Sequence, residues 1–135
     1  MTLENLLKIK QLNSEPLDKN EFEGLVKGAV DRLKDSQLEA LSFASRFDLA
    51  YSAAHGLALA ALRAAGYRSD KRYLVFQCLA HTTEMNKVQI RIFSACHDKR
   101  NLAEYEGHYE TDEQLLTELI SNVKILLKYV NGIKL

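Results

Sequence analysis

The sequence predicts an all-α protein, an antiparallel up-and-down helical bundle of five to six helices forming one domain. Three observations carry that reading. The 135 residues contain one proline and six glycines, so little interrupts a helix. Apolar residues recur at helical spacing, and no stretch alternates as a half-buried strand does. Helix-start signals recur along the chain: Asp18 with Glu21, Ser36 with Glu39, and Thr111 with Gln114 each have the spacing of a capping box.

Taken in order, the expected elements begin with a short N-terminal helix over 2–12, carrying Leu3, Leu6, Leu7 and Ile9, within an N-terminal segment 1–12. The run NSEPLD holds the only proline and breaks it. Asp18 opens a second helix that ends near Leu33, within a core bundle spanning 18–131. Ser36 opens the longest helix, from Gln37 to about Ala65, with Gly66 as its stop. That helix, FASRFDLAYSAAHGLALAALRAAG, is apolar on nearly every side, as a helix in the middle of a bundle is. Asp70 caps a fourth helix, KRYLVFQCLAHT. A turn at 84–86 leads to a fifth, Lys87 to about Tyr105. EGHYET is a loop, and Thr111 opens the last helix, with Leu115, Leu119, Val123, Leu126 or Leu127, and Val130 on its apolar stripe.

Eighteen basic and eighteen acidic residues cancel, so no overall field draws the chain to nucleic acid or to a membrane, and any such binding needs a local patch. No apolar run is long enough to span a bilayer, and no membrane partner is expected. MTLENLLKIKQLN is too charged for a secretory signal. Cys78 and Cys96 sit in apolar helical contexts and read as reduced core thiols of a cytoplasmic protein.

Polar residues placed where a core should be are the candidate site. On the fifth helix the stripe Ile90, Phe93 continues in phase as His97, Arg100, Asn101 and Glu104. On the apolar third helix Asp48, Ser52 and His55 share a face, with Tyr51 beside them. A carboxylate on so apolar a helix needs a cation or several donors, and Arg100 is its expected partner. Cys78, His81, Cys96 and His97 do not have the spacing of a structural zinc site, so no metal is expected. Cys96 and His97 point to different helix faces, which removes them as a nucleophile pair. No phosphate loop, HExxH or GxSxG is present. GYRSDKRY mixes Arg68, Lys71 and Arg72 with Tyr67 and Tyr73. That mix suits single-stranded nucleic acid, and it equally suits an exposed turn between helices.

DLAYSAAHGLALAALRAAG, followed by a later helix ending in Arg100-Asn101 and the aromatic Tyr105, resembles the HEPN superfamily over roughly residues 20–130. The resemblance implies a helical bundle, a homodimer, and metal-independent ribonuclease chemistry that needs no cofactor. It also implies a place among toxin–antitoxin systems, with RNA as substrate and a nucleotidyltransferase or antitoxin protein as partner. The family motif is an arginine, a polar residue, then a histidine about four to six residues further on. Arg100 and Asn101 match its first two positions. Tyr105 occupies the histidine window, and the first histidine beyond it is His108.

In the active family members the histidine assists attack of a ribose 2′-OH on the adjacent phosphate, and the arginine stabilises that phosphate's charge. A general base works best with a pKa near working pH; histidine at about 6.5 meets this and tyrosine at about 10 does not. His108, if its loop folds back, and His97, one turn before Arg100, are the candidate replacements. The implied dimer sets the two motifs across a shared cleft lined by His97, Arg100, Asn101 and Glu104, with Asp48, Tyr51 and His55 orienting or binding. The competing reading is an interaction or structural domain in which an Asp48–Arg100 pair only fixes helix packing.

Overall fold

The computed structural model describes residues 2–135; Met1, part of the expected segment 1–12, lies outside the described residues. It is an all-α helical bundle. Its elements are α1 (Leu3–Lys8), β1 (Asn13–Ser14), α2 (Lys19–Ser36), α3 (Phe43–Ala64), β2 (Tyr67–Arg68), α4 (Arg72–Gln77), α5 (Leu79–Thr82), α6 (Lys87–Glu106) and α7 (Glu113–Asn131). None of these helices is long and apolar enough to cross a membrane.

The centre of the bundle is α3, packed most extensively on α2 and α7. Phe47, Ala50, Tyr51, Ala53, Ala54, Leu57, Ala60 and Leu62 are all fully buried on it. Small residues let α2 come close: a Cβ built on Gly56 would meet the Leu25 carbonyl oxygen at 3.6 Å and the Ala29 Cβ at 3.8 Å, ordinary contacts. Gly56 is in mid-helix with room for a methyl group. Gly56→Ala is therefore expected to stabilise the protein by about 0.5–1 kcal/mol through the unfolded chain, read as a higher melting temperature. A lowered one would mean that the helices cannot give at this contact.

Several boundaries differ from the sequence reading, each for a local reason. The N-terminal helix stops at Lys8 rather than residue 12, because Lys10 takes a left-handed conformation (φ 62°) and turns the chain. Leu12 is then buried, and β1 pairs antiparallel with β2, Asn13 opposite Arg68 and Ser14 opposite Tyr67. That small sheet was not expected; it depends on partners far away in sequence. Ser36 ends α2 instead of opening the next helix, its hydroxyl donating to the Leu33 carbonyl at 2.6 Å. The cap of α3 is Ser42, whose Oγ accepts from the Ser45 N–H. Arg46 Nε donates to the Ser36 carbonyl at 2.8 Å and so closes the end of α2.

Asp18 caps α2 as expected, accepting from the Asn20 and Glu21 N–H groups. The Glu21 side chain, however, is drawn away to two arginines. Asp70 does not cap α4; Lys71 holds that position without a side-chain bond, and the Lys71 N–H donates to Ser69 Oγ. The expected fourth helix is broken in two at Cys78. α6 opens on a reciprocal capping box of Asn86 and Gln89 and ends at Gly107 in the left-handed region (φ 83°). α7 is capped by Asp112, one residue beyond the expected Thr111. Its stripe is Leu116, Leu119, Ile120, Val123, Leu126 and Val130, with Leu115 and Leu127 half-buried beside it. Both cysteines are free and buried, and burial pushes their thiols up, Cys78 to about 11 and Cys96 to about 12.

Candidate functional site

Tyr51 is the pivot of the polar cluster. It is fully buried on α3, packed edge-on against Phe76 of α4. Two guanidiniums face its ring: the Arg100 Cζ lies 5.4 Å and the Arg72 Cζ 5.7 Å from the centroid. Its hydroxyl bonds His97 Nδ1 at 2.9 Å, and His97 Nε2 meets Asn101 Nδ2 at 3.1 Å. The half-exposed Tyr73 ring leans on His97, with centroids 5.9 Å apart. Three helices, α3, α4 and α6, thus bring one phenol, two arginines and a histidine to one place.

The protonation of this chain of bonds follows from its partners. Burial raises the Tyr51 phenol above its usual value, with the nearby Arg72 pulling the other way, so it is a hydroxyl. A neutral imidazole has one N–H and one acceptor nitrogen. If Nδ1–H donates to the Tyr51 oxygen, Nε2 is the acceptor and faces the Asn101 amide. In the other tautomer the Tyr51 O–H donates to Nδ1, and the Asn101 amide must turn to accept from Nε2–H.

His55 lies one turn further along the same helix, half-buried and edge-on to Phe76, and its Nε2 is buried without a hydrogen-bond partner. Burial first, and then Arg72, Arg100 and His97, lower its pKa to about 4. It is therefore neutral in the fold, and three potentially cationic side chains converge on it. The folded pKa lies below the unfolded one, so the unfolded chain takes up the proton first. Stability is full above about pH 6.5 and falls as the pH drops towards about 4. The loss is on the order of 3 kcal/mol for a group this buried. Urea melts across that window should show it, and His55→Gln should flatten the curve there; an unaltered slope in the variant would reject this assignment.

The other side of Arg100 is different. Its Nη1 pairs with Glu104 Oε1 at 2.9 Å, one turn along α6. Asp48 accepts from the Tyr109 hydroxyl at 2.6 Å instead of pairing with Arg100. The expected Asp48–Arg100 pair is not formed, because Asp48 lies on the exposed edge of α3 and has no need of a buried cation. Ser52 is exposed on the same edge. The Asp48–Tyr109 bond, with the Tyr109 ring on Phe43 and Phe47, folds the loop after Gly107 back over α3. The result is an open cavity of about 510 Å³ lined by Asp48, Arg100, Glu104 and His108, among others.

His108 therefore does reach the neighbourhood of Arg100, whereas Tyr105 does not. Tyr105 is 91% exposed, since five residues carry it about 140° around the helix from Arg100. The sequence reading set His97, Arg100 and Asn101 on one face of α6 and Tyr51 in a separate cluster on α3, to be joined through Asp48; the two meet instead at Tyr51, and Arg72 was not among them. Of the basic stretch GYRSDKRY, Arg68 bonds Glu15 and Glu21 and Lys71 bonds Gln11, leaving only Arg72 to join the cluster. Nothing local marks Arg72 out, because its neighbours come from α3 and α6. Cys78 and Cys96 are buried while His81 is exposed, and no group of three or more metal-ligating side chains converges among the described residues. Comparison with family models, with curated proteins and with solved structures gave no match, so these distances and charges carry the functional reading.

Proposed function

We propose that this chain is a HEPN-like RNA-targeting domain that takes an RNA phosphodiester beside Arg72 and Arg100. The observation that carries the reading is the pair of guanidiniums converging on the Tyr51 ring from two helices, with no carboxylate bonded to Arg72 among the described residues. Two forked donors around one position suit a phosphate, which accepts bidentate bonds. The half-exposed Tyr73 ring beside them offers a face for a base. The cavity on the far side of Arg100 suits RNA less well, since Asp48 and Glu104 set two carboxylates against one arginine.

That charge balance selects His97 over His108 as the base. Its Nε2 would take the proton of the ribose 2′-OH while that oxygen attacks the adjacent phosphorus. The bond from phosphorus to the 5′ oxygen then breaks, a cyclic phosphate remains, and the departing oxygen takes a proton from water. Arg72 and Arg100 would hold the charge on the phosphoryl oxygens. Tyr51 fixes the imidazole as the third member of a base-orienting chain does.

A second reading, a non-catalytic interaction or structural domain, is favoured by one feature: both His97 nitrogens and the Arg100–Glu104 pair are already satisfied within the chain. The test is incubation with single-stranded RNA and tRNA in EDTA, beside Arg100→Ala, His97→Ala and His108→Ala. Cleavage lost in the Arg100 and His97 variants and kept in the His108 variant is the expected result. Binding without cleavage would support a non-catalytic RNA module, and neither binding nor cleavage would leave the interaction reading.

A further inference from the structure

Tyr73 belongs to two places at once. Its ring leans on His97, and it also lines a second groove, a cavity of about 310 Å³ between α4 and α6. The other polar residues of that groove are Gln77 from α4 and Lys87, Arg91 and Ser94 from α6, and no carboxylate lines it. Lys87 and Arg91 are exposed, and neither forms an ion pair among the described residues. Gln77 Nε2 donates to Ser94 Oγ at 2.8 Å and joins the two helices. That bond leaves the Gln77 carbonyl oxygen and the Ser94 hydroxyl proton free, an acceptor and a donor side by side.

The groove continues the line of the arginine cluster. On α6, Lys87, Arg91, Ser94 and His97 follow at steps of four, three and three, so they share one face. A rise of about 1.5 Å per residue sets Arg91 about 9 Å and Lys87 about 15 Å from His97 along the helix axis. The charge differs from that of the cavity beside His108. There one arginine stands against Asp48 and Glu104; here two cations stand with no carboxylate.

We propose that this groove seats the nucleotide next to the reacting phosphodiester. Lys87 and Arg91 hold its phosphate, Tyr73 carries its base, and the Gln77–Ser94 pair meets the base edge. Lys87 and Arg91 are one helical turn apart, close enough for one phosphate to meet both. An acceptor beside a donor suits a base edge, which presents both kinds of group. The inference rests on the RNA reading and narrows it, because it fixes the substrate as a single-stranded segment. In a duplex the bases are stacked and paired, and none is free to lie on Tyr73.

Fluorescence anisotropy of the whole chain with a short 2′-O-methyl RNA, which lacks the attacking hydroxyl, tests it. Lys87→Gln combined with Arg91→Gln should weaken binding about tenfold or more and lower the salt slope by about 0.7, the share of one single-strand phosphate. Helical circular dichroism should not change, since both side chains are exposed. Tyr73→Ala should weaken binding by about fivefold to a hundredfold, and Tyr73→Phe, which keeps the ring, should not. A fully paired duplex of the same length should bind about tenfold more weakly or worse. Unchanged affinity and salt slope in the Lys87–Arg91 double variant, with binding still weakened by Arg72→Ala, overturns the groove and leaves the RNA reading standing. Equal affinity for the duplex also overturns it. So does 5′-AMP bound as tightly as the RNA, which would make the groove a site for a free nucleotide. A wild type that binds no RNA removes both readings.

Discussion

Arg63→Met is expected to destabilise the protein by about 3–5 kcal/mol, the largest effect of any single change away from the apolar core. Arg63 is 1% exposed, and its guanidinium is surrounded by acceptors. Nε donates to Glu21 Oε1 at 2.7 Å, Nη1 to the carbonyls of Glu15 and Tyr67 at 3.0 and 3.3 Å, and Nη2 to the Pro16 carbonyl at 2.7 Å. The Glu15 carboxylate lies 3.3 Å from Nη2. Methionine matches the stem and removes every donor, so three backbone carbonyls lose that partner together, while Glu15 and Glu21 are left with Arg68 alone. Lysine cannot substitute, because one ammonium does not reproduce the planar fork. Arg63 also holds the segment before α2 against the end of α3, together with the β1–β2 pairing and the Arg68–Glu15 and Lys71–Gln11 bonds.

Thermal melting should fall by roughly 10 °C or more in a domain of this size. A change under about 1 kcal/mol would show that the network adds no net stability, as some buried ion pairs do not. Glu21 is held below the usual carboxylate range, chiefly by hydrogen bonds from Arg68 and then Arg63. Its contribution is present above the unfolded carboxylate pKa and is lost as acid protonates it, the same direction as for His55.

Arg72→Ala and Arg100→Ala should each weaken single-stranded RNA binding by about tenfold to a hundredfold, the range of one charge-assisted phosphate contact. Each should also reduce the slope of log affinity against log salt by about 0.7. The Arg72 variant is the sharper test. Arg100 is tied to Glu104, so its loss disturbs α6 locally, whereas Arg72 has no ion-pair partner among the described residues. Equal affinity and equal salt slope in the Arg72 variant would remove the guanidinium pair as an anion site. A salt slope that falls with Arg100→Ala alone would move the phosphate to the cavity beside His108.

Much of this arrangement was legible in the sequence, and the divisions are physical. Periodicity on α3 and α7 is local and strong, so their buried faces follow directly from the spacing of Leu119, Val123 and Leu126, or of Ala50, Ala54 and Leu57. The polar turn of the α6 stripe after Phe93 was legible for the same reason, since His97, Arg100 and Asn101 share a face whatever packs on it. The errors have another origin. Ser36 and Ser42 both suit a cap, and the choice between them is made by the burial of Ser36 against α3. Asp48 looked buried because its helix is apolar, yet one edge of that helix is open. Arg63 was not singled out, because neither Glu15 nor Glu21 is near it in sequence. Arg72 was hidden likewise, its role created by α3 and α6 converging on α4.

The Glu15–Glu21–Arg63–Arg68 network also bears on how the chain is made. The bonds from Arg63 and Arg68 reach back between 42 and 53 residues. A ribosome delivers the two carboxylates first, and neither has its cation until the end of α3 has emerged. Until then β1 has no strand to pair with and Leu12 has no pocket to enter. This segment is made before the residues that hold it and is thus among the last to be fastened. The docking of that segment would report that most of the bundle is already in place.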